Sequence, residues 1–269
     1  MIQPRGGPRD PPSPRHPRRR PHLRAWRHRW RHLPVPDFRR CSVGRLGVVS
    51  AAQSVLLRHL AQVEDFALDG SSPPLPEADH PRLDDLLIIH LSPPRHALKG
   101  LVLNLQSYKL HSSVFSYVNL DYLEVKGCLL PGSTPGLVAS LPLMHLTRLR
   151  VHYTVELEPH LNSAQFDALA ALISGCPGLE QLVVIVGPEV AGVKLKIAAP
   201  RLRQLEIRAR SADWMVEFQS LLPDLAQAKL QLPFFCYAQE GGSRLLQILQ
   251  SISQVEKLES LDSNPLVRR

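Results

Sequence analysis

His28 and His32 stand four residues apart in "WRHRWRH", a spacing that puts two imidazoles on one helix face as metal ligands could be. Arg27, Arg29 and Arg31 surround them and would repel a cation, and no Cys, Asp or Glu within reach completes a ligand set. No metal site is expected. The four cysteines, Cys41, Cys128, Cys176 and Cys236, form no C-x-x-C pair. Cys128 and Cys176 lack a neighbouring base, so they read as packing residues rather than nucleophiles. No G-x-S-x-G, P-loop or H-E-x-x-H pattern occurs, and Gly241–Gly242 is an isolated pair that reads as a turn. The residue types that do chemistry are present, but not in the constellations that chemistry needs. No catalytic residue and no cofactor is expected, and the chain does not read as an enzyme.

Charge narrows the choice further. The 269 residues carry a net +8, yet residues 1–40 hold twelve Arg against only Asp10 and Asp37, a charge of +10. The remainder is therefore −2, so the basic character belongs to the N-terminal stretch and nucleic-acid binding by the whole protein is not expected. Residues 1–23 are Pro- and Arg-rich and cannot bury enough apolar surface to offset their ordering entropy, so they read as a disordered tail. No apolar run reaches the ~18 residues of a membrane span. There is no apolar secretory core at the N-terminus either, and the widely spaced cysteines suit a reducing compartment. The expected location is the nucleus or cytoplasm.

The elements that must position any binding residues come from a recurring pattern, apolar-x-x-apolar-x-apolar. It begins at Val63, Leu98, Leu120, Leu146, Leu179 and Leu202, again more weakly at Leu225, and in a degenerate form at Val255. Successive starts are 35, 22, 26, 33, 23, 23 and 30 residues apart. These intervals bracket the period of leucine-rich repeats, with loops inserted in the longer units. The fold class expected is α/β: a solenoid of short parallel strands with helical or 3₁₀ return segments, over residues 41–269. Each unit buries its apolar side only by stacking on the next. "SAQFDALAALISGCPGL" is the clearest return helix, with Phe166, Leu169, Ala170, Leu172 and Ile173 on one face and Pro177 ending it.

Several stretches resemble the plant F-box/leucine-rich-repeat proteins: "HALKGLVLNL", "LHSSVFSYVNLDYLEVKGCLL", "LISGCPGLEQLVV" and the strand pair "KIAAPRLRQLEI". Ahead of them "RWRHLPVPDF", within residues 24–40, resembles the end of an F-box. The resemblance implies a protein-binding substrate-recognition part of a cullin-type ubiquitin ligase, with Trp30, Leu33 and Phe38 as what remains of docking to a Skp-type adaptor. The F-box helix start expected upstream of Trp30 is replaced by Pro/Arg-rich sequence. Two alternatives therefore stand beside it, a truncated family member without ligase function and a nucleic-acid-associated protein acting through the Arg-rich tail. The resemblance also gives Cys128 the place of the Asn or Cys that satisfies backbone groups at a repeat turn.

Strand alternation selects the binding residues. If Leu123 and Val125 face the core, Tyr122, Glu124 and Lys126 face out, followed on later strands by Arg148, Arg150 and His152, then Gln181, Val183 and Ile185, then Gln204, Glu206 and Arg208. This concave face, polar with a small apolar patch, suits a protein partner.

Overall fold

The apolar spacing has a direct structural meaning. Its first residue closes a tight turn, and its second and third point to the same side of the strand that follows. In the computed structural model Leu120, Leu146, Leu179, Leu202, Leu225 and Val255 each donate their backbone N–H to the carbonyl three residues earlier, at 3.1–3.2 Å. Pro177, Pro200 and Pro223 occupy the second position of three of these turns, where a fixed φ near −65° is already correct. The description covers residues 47–58, 63–71, 74–91, 98–131, 143–154, 161–187, 193–209, 215–219, 221–231, 248 and 250–260, all within one compact unit, Phe38–Arg269. The tail 1–23, the stretch 24–40 with His28, Trp30, His32, Leu33 and Phe38, and Cys41, Cys236 and Gly241–Gly242 lie outside the described residues.

The protein is an α/β fold with one long parallel sheet of short strands. Helix α1 (Val48–Arg58) precedes β1 (Asp65–Asp69). A short helix α2 (His80–Asp85), with Pro81 in its first turn, runs on into one wider π-helical turn, Leu86–His90. Then follow β2 (Gly100–Lys109), a 3₁₀ turn (Ser112–Ser116), β3 (Tyr122–Leu129), β4 (Arg148–His152), α3 (Ser163–Ser174) and β5 (Gln181–Ile185). The chain continues through β6 (Lys194–Ile197), β7 (Gln204–Arg208), β8 (Met215–Phe218), β9 (Gln227–Gln231) and β10 (Lys257–Ser260). The main sheet has the order β1-β2-β3-β4-β5-β7-β9-β10, every neighbouring pair parallel.

All eight starts of the sequence pattern lead into a strand of this sheet, and the register aligns them. Phe66, Leu101, Leu123, Leu149, Leu182, Leu205 and Ala228 are successive Cα partners, as are Leu68, Leu103, Val125, Val151, Val184, Ile207 and Leu230. Both rows are buried and belong to one continuous core. A repeated backbone device holds the register. The carbonyls of Glu64, Lys99, Asp121, Thr147, Glu180, Arg203 and Ala226 each accept two consecutive N–H groups from the start of the next strand. Each bond is worth about 1 kcal/mol net, and each buried Leu roughly 1.5–3 kcal/mol.

The return segments differ from expectation in one respect. α3 is a helix, capped by Asn162 Oδ1 accepting from Gln165 N at 3.3 Å, and it buries Phe166, Leu169, Leu172 and Ile173. Ala168 is buried there while Ala170 is only half-buried. After β5 and β7, however, the returns are strands: β6 and β8 pair with each other, in parallel, as a separate two-stranded sheet. "KLKI" explains this locally, since Leu195 and Ile197 are fully buried while Lys194 and Lys196 are exposed, a period of two rather than 3.6. α1 packs Val49, Ala52 and Leu56 into the same core as Leu83, Leu86, Leu87 and Leu91. Tyr108 Oη donating to Asp84 Oδ1 at 2.5 Å, and Tyr117 Oη donating to the Leu87 carbonyl, tie that helical segment to the sheet. No helix among the described residues is long and apolar enough to cross a membrane.

Candidate interaction surface

The side of the sheet away from the core presents three rows. Tyr122, Arg148, Gln181 and Gln204 are mutual neighbours in the first. Glu124, Arg150, Val183 and Glu206 form the second, and Lys126, His152, Ile185 and Arg208 the third. The structure thus brings together all twelve residues singled out on this face from alternation alone. Two more strands extend the rows: Gln227, Lys229 and Gln231 of β9, and Lys257 and Glu259 of β10. Sequence reasoning stopped at β7, although the two weaker repeats carried the same register and gave these positions too.

Tyr122 is the exception on availability. Its ring lies under the Arg148 guanidinium, 5.1 Å from the centroid, and its hydroxyl donates to Glu124, leaving it only 8% exposed. The expected exposed tyrosine is instead a buried floor that orients two charged neighbours. Arg148 is held from its other side by Asp121 Oδ2 at 2.6 Å, while the Thr147 hydroxyl donates to the second carboxylate oxygen. Burial first, and the hydrogen bond to Glu124 second, push the Tyr122 phenol well above its usual range, so it stays protonated.

The charges on this face are not balanced. From β3 to β10 it carries Lys126, Arg148, Arg150, Arg208, Lys229 and Lys257 against Glu124, Glu206 and Glu259. Each of the three carboxylates is engaged: Glu124 by Arg150 at 3.7 Å, Glu206 by Arg208 and, at 3.8 Å, by Lys229, and Glu259 by Lys257 at 2.7 Å. Lys126 and His152 have no carboxylate partner among the described residues. His152 is held below its ordinary pKa, first by burial and then by the cations Lys126, Arg208 and Arg150, against the opposing pull of Glu124. At the other end, β1 offers Asp65 and Asp69 to the same side.

Burial pushes the Cys128 and Cys176 thiols up to about 12, which keeps both protonated. Cys128 lies inside β3 rather than at a turn, its thiol directed to the Lys126 carbonyl at 3.6 Å. Among the described residues no group of three or more His, Cys, Asp or Glu is placed to hold a metal ion. One feature of β3 was not foreseen: Gly127 adopts φ +69°, beside a register shift in β2 between Asn104 and Tyr108. A glycine inside a strand pattern is the signal that marks such a spot. No family model and no curated protein matches the chain.

Proposed function

We propose that this chain is a leucine-rich-repeat solenoid that acts as a non-enzymatic protein-recognition module, holding a protein partner on the polar face of its main sheet. The observation that carries this reading is the parallel pairing of eight strands, which lays three rows of side chains, polar apart from Val183 and Ile185, over the side of the sheet away from the core. A rigid sheet offers such rows without an ordering cost on binding, and specificity then comes from the side chains along them. A photo-crosslinking residue at Gln204, on this face, tests it against one at Ser163, at the exposed start of α3. Partner captured from position 204 and not from 163 is the expected result. Equal capture from both, or none from 204, refutes it.

Within this reading the resemblance to F-box/leucine-rich-repeat proteins makes the module the substrate-recognition part of a cullin-type ubiquitin ligase. Purified Skp-type adaptor is the probe. Capture by the full chain that is lost in Trp30→Ala/Phe38→Ala supports ligase membership. Absence of capture, with the chain folded, leaves a recognition module without ligase function.

A further inference from the structure

The rows carry one asymmetry that points to the chemistry of the partner. Among the described residues every carboxylate on the face from β3 to β10 is already paired with a cation, and Glu206 with two, whereas Lys126 has no carboxylate partner. The surplus charge is positive, six cations against three carboxylates, and two of those cations, Lys126 and Arg208, stand in one row: Lys126, His152, Ile185 and Arg208 are consecutive Cα partners across β3, β4, β5 and β7. Beside it, Val183 and Ile185 both lie on the polar side of β5 and are half-buried. A small apolar spot is therefore flanked by Arg150 and His152 on one strand and by Arg208 and the already paired Glu206 on the other.

Resting on the protein-recognition reading, we propose that this face takes an extended acidic peptide segment whose apolar side chain seats on Val183 and Ile185, with its carboxylates reaching Lys126 on one flank and Arg208 on the other. Four strands span about 14 Å from Lys126 to Arg208 at roughly 4.8 Å per pairing. An extended chain advances about 3.3–3.6 Å per residue, so the two carboxylates sit about four residues apart. Ile185 is one strand from Arg208 and two from Lys126. The apolar residue thus falls nearer the carboxylate that meets Arg208. Lys126 has no carboxylate partner among the described residues and Arg208 shares Glu206 with Lys229, so both gain from a further carboxylate, and the apolar spot supplies the anchor.

Two other occupants fit less well. The chain's own Arg-rich residues 1–40, at +10, are repelled by the same cations. A single-stranded nucleic acid wants broad aromatic platforms for its bases, and the one phenol or indole ring among these rows, Tyr122, is covered by Arg148.

The test is selection of a random 12-residue displayed peptide library on the immobilised full chain. It is counter-selected against Lys126→Glu/Arg208→Glu, which keeps the basic tail and so removes peptides bound there. The expected outcome is enrichment of acidic peptides with a Leu, Ile, Val or Phe at fixed spacing from two Asp or Glu. Their affinity should fall at least about tenfold in that variant and, as usual for paired charges, with rising salt. Lys126→Gln/Arg208→Gln, with a melting temperature matched to the parent, should show a smaller loss in the same direction. No enrichment, enrichment of basic or uncharged peptides, or binding indifferent to the apolar residue overturns the proposal. So does a 20-nucleotide single-stranded DNA that binds as tightly and is lost in the same variant. If the position-204 crosslink captures a partner while acidic peptides fail, the acidic-peptide inference alone falls; if both fail, the recognition reading falls with it.

Discussion

Gly127 offers the sharpest test of how the sheet is assembled. Its φ of +69° is in the left-handed region, where an L side chain costs about 1–2 kcal/mol. A Cβ at this position would lie 1.9 Å from the carbonyl oxygen of Leu105. That oxygen is backbone, on the bulged stretch of β2 that presses against β3, so relieving the contact requires the strand to move by more than 1 Å. Forcing an extra carbon into packed structure costs about 1–3 kcal/mol, so Gly127→Ala should lose about 2–5 kcal/mol in all. At about 2–4 °C per kcal/mol for a chain of this size, the melting temperature falls on the order of 5–15 °C. Gly100→Ala is the control. Its φ is not positive, and its Cβ meets the carboxylate end of the Asp65 side chain rather than backbone. That variant should lose less than about 1 kcal/mol, the usual range for a substitution that strains neither backbone nor core. Urea denaturation followed by circular dichroism measures both. A Gly127→Ala protein within about 0.5 kcal/mol of the parent, or no worse than Gly100→Ala, refutes the argument that the bulge and the glycine are one device.

Leu182→Ala, in the middle of the core, should cost about 2–5 kcal/mol in the same denaturation assay, whereas Leu258→Ala, 48% exposed on β10, should cost under about 1 kcal/mol; equal losses would contradict a core that thins toward the last strand. Cys128 and Cys176 should resist iodoacetamide at pH 8 in the folded protein and react on unfolding, because burial holds both thiols near 12; peptide mapping that finds either labelled at native rates refutes this. His152 binds its proton less readily when folded than the ordinary value of 6.5 allows, since burial, Lys126, Arg208 and Arg150 outweigh Glu124. The unfolded chain therefore takes up the proton first, and the stability His152 contributes is present above pH 6.5 and is lost as pH falls below it. His152→Gln should flatten that decline in urea midpoints measured between pH 7.5 and 5, and an unchanged slope would sink the assignment.

The strands of the main sheet were legible because their signal is doubled. In each unit two apolar residues separated by one mark the strand, and a third, three residues earlier, marks the turn; even the weak unit Leu225–Ala228–Leu230 and the degenerate one at Val255 became β9 and β10. The polar rows followed from the same alternation, since a residue between two core positions has only one other side to face. What stayed hidden depended on contacts between units. β8 is four residues long, too short for a period to be distinguished from a return loop, and although "KIAAPRLRQLEI" already marks the end of β6 as a strand, its pairing with β8 in a separate sheet is not written in either segment. The bulge near Ser107, itself at φ 56°, and its partner Gly127 belong to two different units. Tyr122 reads as outward from its own strand, and the Arg148 of the next strand lies over its ring. "DGSSPPLPEADHP" reads as a loop, yet its last residues begin α2, because Pro81 is tolerated in a first helical turn.

This division has a consequence for how such a face can change. Core and polar rows occupy alternate positions of the same strands, so exchanging Lys126, Arg150 or Arg208 alters what the face attracts without opening a cavity beneath it. The separation is maintained by the turns rather than by the side chains it separates. The carbonyls of Asp121, Thr147 and Glu180, each accepting two N–H groups from the next strand, fix where that strand begins. A slip of one residue at any of them would turn Leu149 or Leu182 outward and Arg150 or Val183 inward. The penalty for that exchange is paid by the whole core, which is why the spacing of charged groups along a row is as rigid as the packing behind it. On the acidic-peptide proposal, recognition by spacing, four strands for about four residues of an extended partner, is then a property of the backbone ladder, and the choice of partner is left to the few side chains that stand on it.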